Sequence, residues 1–266
     1  MVYACLYLPT SQHHSLLQQT HHFTDSKALT PTVRSGLMAA LCTPGTDLHA
    51  ACGWATTALS ARAIGAGMLR AQGAYNLNAQ AMDATVALVQ GVLDRGINVR
   101  EVYVDTVGRP ETYQRRLEAL FPMLKITVEK KADAIYPCVS AASVCAKVTR
   151  DAALEVCYTD YAGGEASGVA EGWGSGYPSD ARCVGWLKRS MDPLFGWGSE
   201  CRFSWGTVKE MLEERGAEVK VEWPVDDDDD NGMKMTDFFA GATEEAEREG
   251  DELANWYGRR VTEEVF

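Results

Sequence analysis

Two short apolar runs, Glu101-Val-Tyr-Val-Asp105 and Lys125-Ile-Thr-Val-Glu129, carry β-branched or aromatic residues inside and charge at both ends. Such runs predict strands. Between them, Thr106-Val-Gly-Arg-Pro110 supplies turn residues, and Pro110 suits the first position of a helix over Glu111–Phe121. Leu117, Leu120 and Phe121 share one face of that helix, Arg115, Arg116 and Glu118 point to water, and Pro122 stops it. Strand, helix, strand predicts a parallel crossover that puts both strand carboxyl ends on one sheet edge. Elsewhere Thr30-Pro31 starts a helix to about Cys42, and Met82, Val86, Val89 and Leu93 form a helical stripe ended by Gly96. The polar stretch Ser15 to Thr20 reads as a loop, Thr207–Arg215 as an amphipathic helix and Glu218–Trp223 as a short strand.

That topology gives two acids a common address. Asp105 ends the first strand and Asp133 follows the second, 28 positions later in sequence but at the same predicted edge. Two carboxylates without Cys or His at metal spacing suit a hard, oxygen-preferring cation such as Mg²⁺ or Mn²⁺. The corresponding chemistry is phosphoryl transfer, in which a pair of cations activates the attacking water and stabilises the leaving oxygen. The plain structural alternative is that Asp105 caps a turn and Asp133 caps the next helix.

Other segments decide between these readings: Asp25-Ser-Lys27, Tyr75-Asn-Leu-Asn78, Val104-Asp-Thr-Val-Gly108, Lys131-Ala-Asp133, Ser140-Ala-Ala-Ser-Val-Cys-Ala-Lys147 with Val148-Thr-Arg-Asp151, and Gly174-Ser-Gly-Tyr-Pro-Ser-Asp180. In this order and spacing, from Met1 to about Trp205, they resemble type 2 ribonuclease H, the ribonuclease HII family, in its eukaryotic catalytic-subunit branch. The resemblance implies an α/β fold, a ribonuclease H-like mixed sheet flanked by helices, followed by a helical, acidic C-terminal extension. It implies a catalytic domain over 1–206 and an extension over 207–266 with a linker at 226–232. The implied activity is endonucleolytic cleavage of RNA in RNA–DNA hybrids and of single ribonucleotides embedded in duplex DNA. Residue by residue, Asp105 and Asp133 match two of four metal-binding acids, and Tyr177 matches the tyrosine that reads the ribose–deoxyribose junction. Lys27 is placed to pair with a phosphate, Asn76 lies near the substrate backbone, and Ser140, Ser143 and Lys147 line a helix start that faces phosphate. The structural alternatives are a turn-stabilising role for Asn76 and a helix N-cap for Ser140.

One part of the family pattern has no counterpart. The family begins with a strand carrying Asp-Glu-Ala-Gly-Arg-Gly, which supplies the other two acids, whereas Met1-Val-Tyr-Ala-Cys-Leu-Tyr-Leu-Pro9 resembles the family's second strand. The two-metal site is therefore expected to be incomplete in this chain, and an edge is expected to open in the middle of the sheet. The expectation is an active enzyme truncated at its amino end. The alternative is a truncated, non-catalytic subunit that keeps hybrid binding or scaffolding.

Composition sharpens this picture in three places. The net charge of −12 looks wrong for a nuclease, but residues 1–206 carry 18 basic and 18 acidic side chains while 207–266 carry 7 and 19. The catalytic region is therefore balanced, with local basic clusters at Arg115-Arg116, Lys130-Lys131 and Lys147 to Arg150. Eight cysteines without Cys-x-x-Cys spacing predict reduced, buried thiols rather than disulfides. His13-His14 and His21-His22 lack a Cys or carboxylate at ligand spacing and do not predict a zinc site. No stretch approaches the roughly 20 apolar residues of a membrane span and none reads as a signal peptide, so an intracellular protein is expected; the resemblance implies the nucleus. The resemblance also implies that the acidic C-terminal region docks two accessory subunits in a heterotrimer; an autonomous helix covering the core is the alternative.

Overall fold

The computed structural model describes residues 1–24, 29–70, 75–106, 109–161, 172–174, 176, 180–215 and 221–223. The chain divides into two compact units, Met1–Val225 and Asp226–Phe266, and the second lies wholly outside the described residues together with the acidic run and the expected linker.

The first unit is an α/β layer in which two pairs of strands sit among helices. Strand β1 (Val2–Tyr7) pairs antiparallel with β2 (Gly53–Ala58), from Val2↔Ala58 to Tyr7↔Gly53. Gly53 is required at the end of this register because the Tyr7 ring lies over it, and a Cβ there would stand 2.1 Å from Tyr7 Cζ. Strand β3 (Glu101–Asp105) pairs parallel with β4 (Lys125–Glu129), and the crossover between them is the predicted helix, α5 (Pro110–Leu120). It stops at Leu120 because Phe121 leaves helical geometry at φ −127 and ψ 65, ahead of Pro122. The pairs β1–β2 and β3–β4 form two separate two-stranded sheets among the described residues. A cleft lies between β1 and β3, lined by every residue of both strands.

Helices close the faces. These are α1 (Pro31–Cys42), α2 (Asp47–Ala51), α3 (Ala61–Met68), α4 (Leu77–Asp94), α6 (Ala132–Ile135), α7 (Pro137–Tyr161), α8 (Ala181–Ser190) and α9 (Gly206–Arg215). Thr30 caps α1 by accepting the Val33 N–H, with Pro31 at the first position as its sequence predicts. The α4 stripe is core as expected: Met82, Val86, Val89 and Leu93 pack with Leu117, Phe121, Ile126 and Val128 beneath β3–β4. A second cluster, with Leu17, Phe23, Leu41 and Leu48, packs against Val144 and Cys145 of α7 beneath β1–β2. A third joins Cys183 and Leu187 of α8 to Trp197 and to Val208 and Met211 of α9.

Three expectations need correction. The polar stretch read as a loop is helical, a 3₁₀ turn at Thr10–Gln12 running into a π-helix at His13–Thr20. Its anchor is Leu17, 0% exposed, and one buried leucine in a polar run leaves no periodic signature. Residues 221–223 of the expected strand are irregular, and 218–220 lie outside the described residues. Of the cysteines, only Cys145 and Cys183 are buried; Cys42 is exposed, the other five are half-buried, and no pair is bonded.

Candidate active site

Strand β3 delivers Asp105 at its carboxyl end, where the sheet stops and the backbone turns away. Its neighbour β4 runs on through Lys130 and Lys131 into the short helix α6, whose first turn carries Asp133. Lys131 makes that turn in the left-handed region, at φ 59 and ψ 35, a conformation that costs a residue with a Cβ about 1–2 kcal/mol. The strained turn brings the amino end of α6 back over β3, and the Ala132 N–H donates to Asp105 Oδ1 at 3.0 Å. One residue further along stands Asp133, 5% exposed. Both acids line the same cleft, together with Ser143. Both acids therefore stand at the carboxyl edge of β3–β4 and line one cleft despite their separation in sequence, and the helix amino end beside Asp105 favours negative charge. The plain structural alternative holds only for Asp105, which accepts the Ala132 N–H at the start of α6; the N-cap position is Lys131, and Asp133 lies within the first turn of α6 and does not cap it.

Glu129, the register partner of Asp105, is engaged elsewhere: it accepts from the Tyr136 hydroxyl at 3.0 Å. Among the described residues no group of three or more His, Cys, Asp or Glu side chains gathers as for a metal ion. By donor type, Asp105 and Asp133 fit a hard divalent cation. They are fewer ligands than the six oxygens such a cation takes, so they fit it as part of a larger set.

The remaining predicted residues divide into three groups. Lys27 and Tyr177 lie outside the described residues. Asn76 is the N-cap of α4 and accepts the Ala79 N–H at 2.8 Å, which is the cap role weighed for it. Ser140 is not an N-cap: it lies inside the first turn of α7, is 0% exposed, and its hydroxyl donates to the Thr24 carbonyl. That bond ties the chain entering the Asp25-Ser-Lys27 motif to the α7 amino end, so Ser140 holds a neighbouring segment and does not itself face solvent. Ser143 and Lys147 follow on α7 at half-buried positions, one and two turns along.

Sequence reasoning missed how the α7 amino end is sealed. His13, from the stretch taken for a loop, accepts the Cys138 N–H on Nε2 at 3.2 Å, and its ring stacks on Tyr103 of β3 at 6.1 Å and 13°. Tyr103 in turn packs on Tyr136 at 4.3 Å. Burial, with help from neighbouring His14, holds the His13 pKa below the ordinary histidine value. Donation from the Tyr103 hydroxyl to Glu101 raises the Tyr103 pKa to about 12. Burial pushes Cys138 to about 11, so this thiol stays protonated at neutral pH. No spacing rule links His13 to residue 138; only the helical turn at 13–20 does.

Comparison with solved structures defines the class first. The fold matches a ribonuclease HII from Archaeoglobus fulgidus, solved in complex with PCNA, at TM-score 0.61 and 26% identity over 79% of this chain and 88% of that one. It also matches the ribonuclease H2 of Pyrococcus horikoshii at TM-score 0.58, covering 80% of this chain and 98% of that one. The family model "Ribonuclease HII" matches residues 1–208. The ribonuclease H2 A-subunit of Neurospora crassa is 53% identical over all of this chain and 81% of its own length. Its human counterpart is 40% identical over 90% of this chain and 76% of its own. The chain belongs to the ribonuclease HII family, and its function is that of an RNA–DNA hybrid endoribonuclease, a hydrolase.

Proposed function

We propose that Asp105 and Asp133 are half of a two-metal phosphodiesterase site that cuts the RNA strand of hybrids and single ribonucleotides embedded in duplex DNA. The observation that carries this reading is the Ala132 N–H bond to Asp105 Oδ1, which fixes one carboxylate beside the buried second one at the end of the cleft. The family resemblance implies the other half, two acids on a strand bearing Asp-Glu-Ala-Gly-Arg-Gly, and the cleft that Asp105 and Asp133 line has room beside them. With Mg²⁺ or Mn²⁺ bound, such a site supplies water activation and neutralises charge on the leaving oxygen. The chain's own residues do the rest. The Ala132 amide orients Asp105, Ser140 anchors the segment leading to Lys27, and Lys27 and Lys147 meet phosphate as point charges. Tyr177 packs on the sugar at the RNA–DNA junction, where the 2′-hydroxyl separates ribose from deoxyribose. Residues 1–206 form the catalytic domain, the acidic 207–266 extension docks two accessory subunits, and the setting is the nucleus.

The test is hydrolysis of a duplex containing one ribonucleotide in Mg²⁺, using the chain joined to the upstream strand. Cleavage is expected, Asp105→Asn is expected to lower it by at least about 100-fold, and full activity of that variant would reject the two-metal assignment. A second reading, a hybrid-binding or scaffolding subunit, is favoured by one observation: among the described residues no group of three or more His, Cys, Asp or Glu side chains gathers as for a metal ion. Hybrid binding without cleavage by the extended chain would support it.

A further inference from the structure

The basic clusters of the sequence go to different places in the fold. Lys147 to Arg150 lie along α7, Arg115 and Arg116 on α5, and Lys130 and Lys131 in the turn from β4 into α6, at the edge that carries Asp105 and Asp133. Arg109 joins that last pair. It is exposed, stands four positions after Asp105, and begins α5 without forming a side-chain cap.

One cross-link sets the height of Arg109 against Lys130. The Val128 N–H donates to Gln114 Oε1 at 3.2 Å, and Leu117 packs with Ile126 and Val128, so α5 lies on β4. Helix α5 carries the chain back between two parallel strands and therefore runs antiparallel to β4. From the cross-link, β4 climbs two residues to Lys130, about 6–7 Å at strand rise, while α5 climbs five residues back to Arg109, about 7–8 Å at helix rise. The two bases thus emerge at one level. Asp105 is close by: the Thr106 N–H bonds the Glu129 carbonyl at 3.1 Å, which joins the chain after Asp105 to the chain before Lys130. The carboxylate of Glu129 is turned to Tyr136, and Lys130 is exposed and in no ion pair among the described residues. The other α5 bases are placed differently. Arg115 folds onto its own helix, with Nε donating to the Glu111 carbonyl at 3.4 Å, and Arg116 lies near Tyr113, whose hydroxyl reaches Thr85 of α4.

We infer that Arg109 and Lys130 form a phosphate clamp that holds the sugar–phosphate backbone of the nucleic-acid substrate on the β4 side of Asp105. Strand β4 takes one edge of β3 and the cleft opens at the other, so this clamp lies across β3 from Ser143 and Lys147 of α7. The acids are then flanked by cations on both sides. Such contacts fix the position of a duplex without reading its bases, and they act by releasing counterions from the phosphates. The place of the clamp relative to the cut rests on the two-metal reading above; binding itself does not.

The experiment titrates the full chain into a fluorescein-labelled RNA–DNA hybrid in EDTA, so that anisotropy reads binding without cleavage, at salt concentrations between about 50 and 200 mM. Lys130→Gln and Arg109→Gln should each flatten the slope of log affinity against log salt by about 0.9, and the double variant by about 1.8, equally for hybrids of two different sequences. Lys130→Arg keeps the charge and should restore the native slope. Arg116→Gln should leave it unchanged. The slope, unlike affinity alone, does not respond to a loss of folded protein. The inference is overturned by a native chain that fails to bind the hybrid, by unchanged slopes in both single variants, or by an Arg116→Gln change as large as theirs. Flattened slopes combined with full cleavage by Asp105→Asn in the extended chain keep the clamp and reject the cutting site. Unchanged slopes combined with cleavage lost in Asp105→Asn do the reverse.

Discussion

The two half-sheets are built from similar lengths of strand and differ in how they are finished. In β3–β4, strand β4 alternates between buried and less buried positions, with Ile126 at 5% and Val128 at 4% exposure resting on Leu117 of the crossover helix. In β1–β2, all six residues of β1 are half-buried and show no alternation, although helices lie on both of its faces. β3, the other rim of the cleft, shows no alternation either, because exposure reaches both strands through the edges that open on the cleft. A sheet face shows its burial with a period of two, while an open edge adds exposure at every position.

The largest expected effect sharpens this contrast. Leu117→Ala removes a side chain that is 1% exposed at the centre of the finished half, and should cost about 2–5 kcal/mol. Leu6→Ala, at a half-buried position in β1, should cost clearly less. Urea unfolding of both variants tests it; equal losses would mean that the β1 half is as tightly packed as its neighbour.

Next comes the joint between β3 and α6. Asp105→Ala removes the acceptor of the Ala132 N–H and should destabilise by about 1 kcal/mol, the range of a lost helix cap. Asp105→Asn keeps an oxygen there and should recover most of that loss while failing to restore cleavage in the extended chain. Denaturation midpoints read beside turnover separate the cap from the ligand.

A pH effect probes the tie between the halves. His13 comes from the segment after β1 and stacks on Tyr103 of β3, while accepting the Cys138 N–H as a neutral ring. Its folded pKa is depressed, so the unfolded chain takes up a proton first as pH falls. Stability is complete above the unfolded histidine value of about 6.5 and is lost as pH drops through it toward the lower folded value. Thermal midpoints between pH 7 and 5 should fall for the native chain and fall less for His13→Gln; identical slopes would exclude His13 as the source.

These same features mark the limits of what the sequence reveals. The crossover, the Asp105–Asp133 edge and the α4 stripe were legible because each rests on local period and turn chemistry, in Val102 to Val104, Pro110 and Met82 to Leu93. The family match covers residues 1–208, and within it the fold followed. The His13 seal, the Ser140–Thr24 bond and the division of the sheet were not legible. Each joins residues more than a hundred positions apart, or depends on which strand edges meet, and neither leaves a pattern in a window of a dozen residues.

The smallest expected effect concerns the turn that aims Asp133. Lys131 holds φ 59 with a Cβ present, between a strand end and a four-residue helix too short to impose its own geometry. Lys131→Gly removes that steric cost but loosens the unfolded chain, and the two effects oppose each other. The net should be a gain of about 0.5 kcal/mol, seen as a small rise in midpoint with an unchanged denaturant slope. Lys131→Val should lose more than the glycine variant gains, because a β-branched side chain is poorly tolerated there. If glycine instead destabilises, the turn is held by the lysine side chain and not by the backbone, and the alignment of the two aspartates depends on that side chain too.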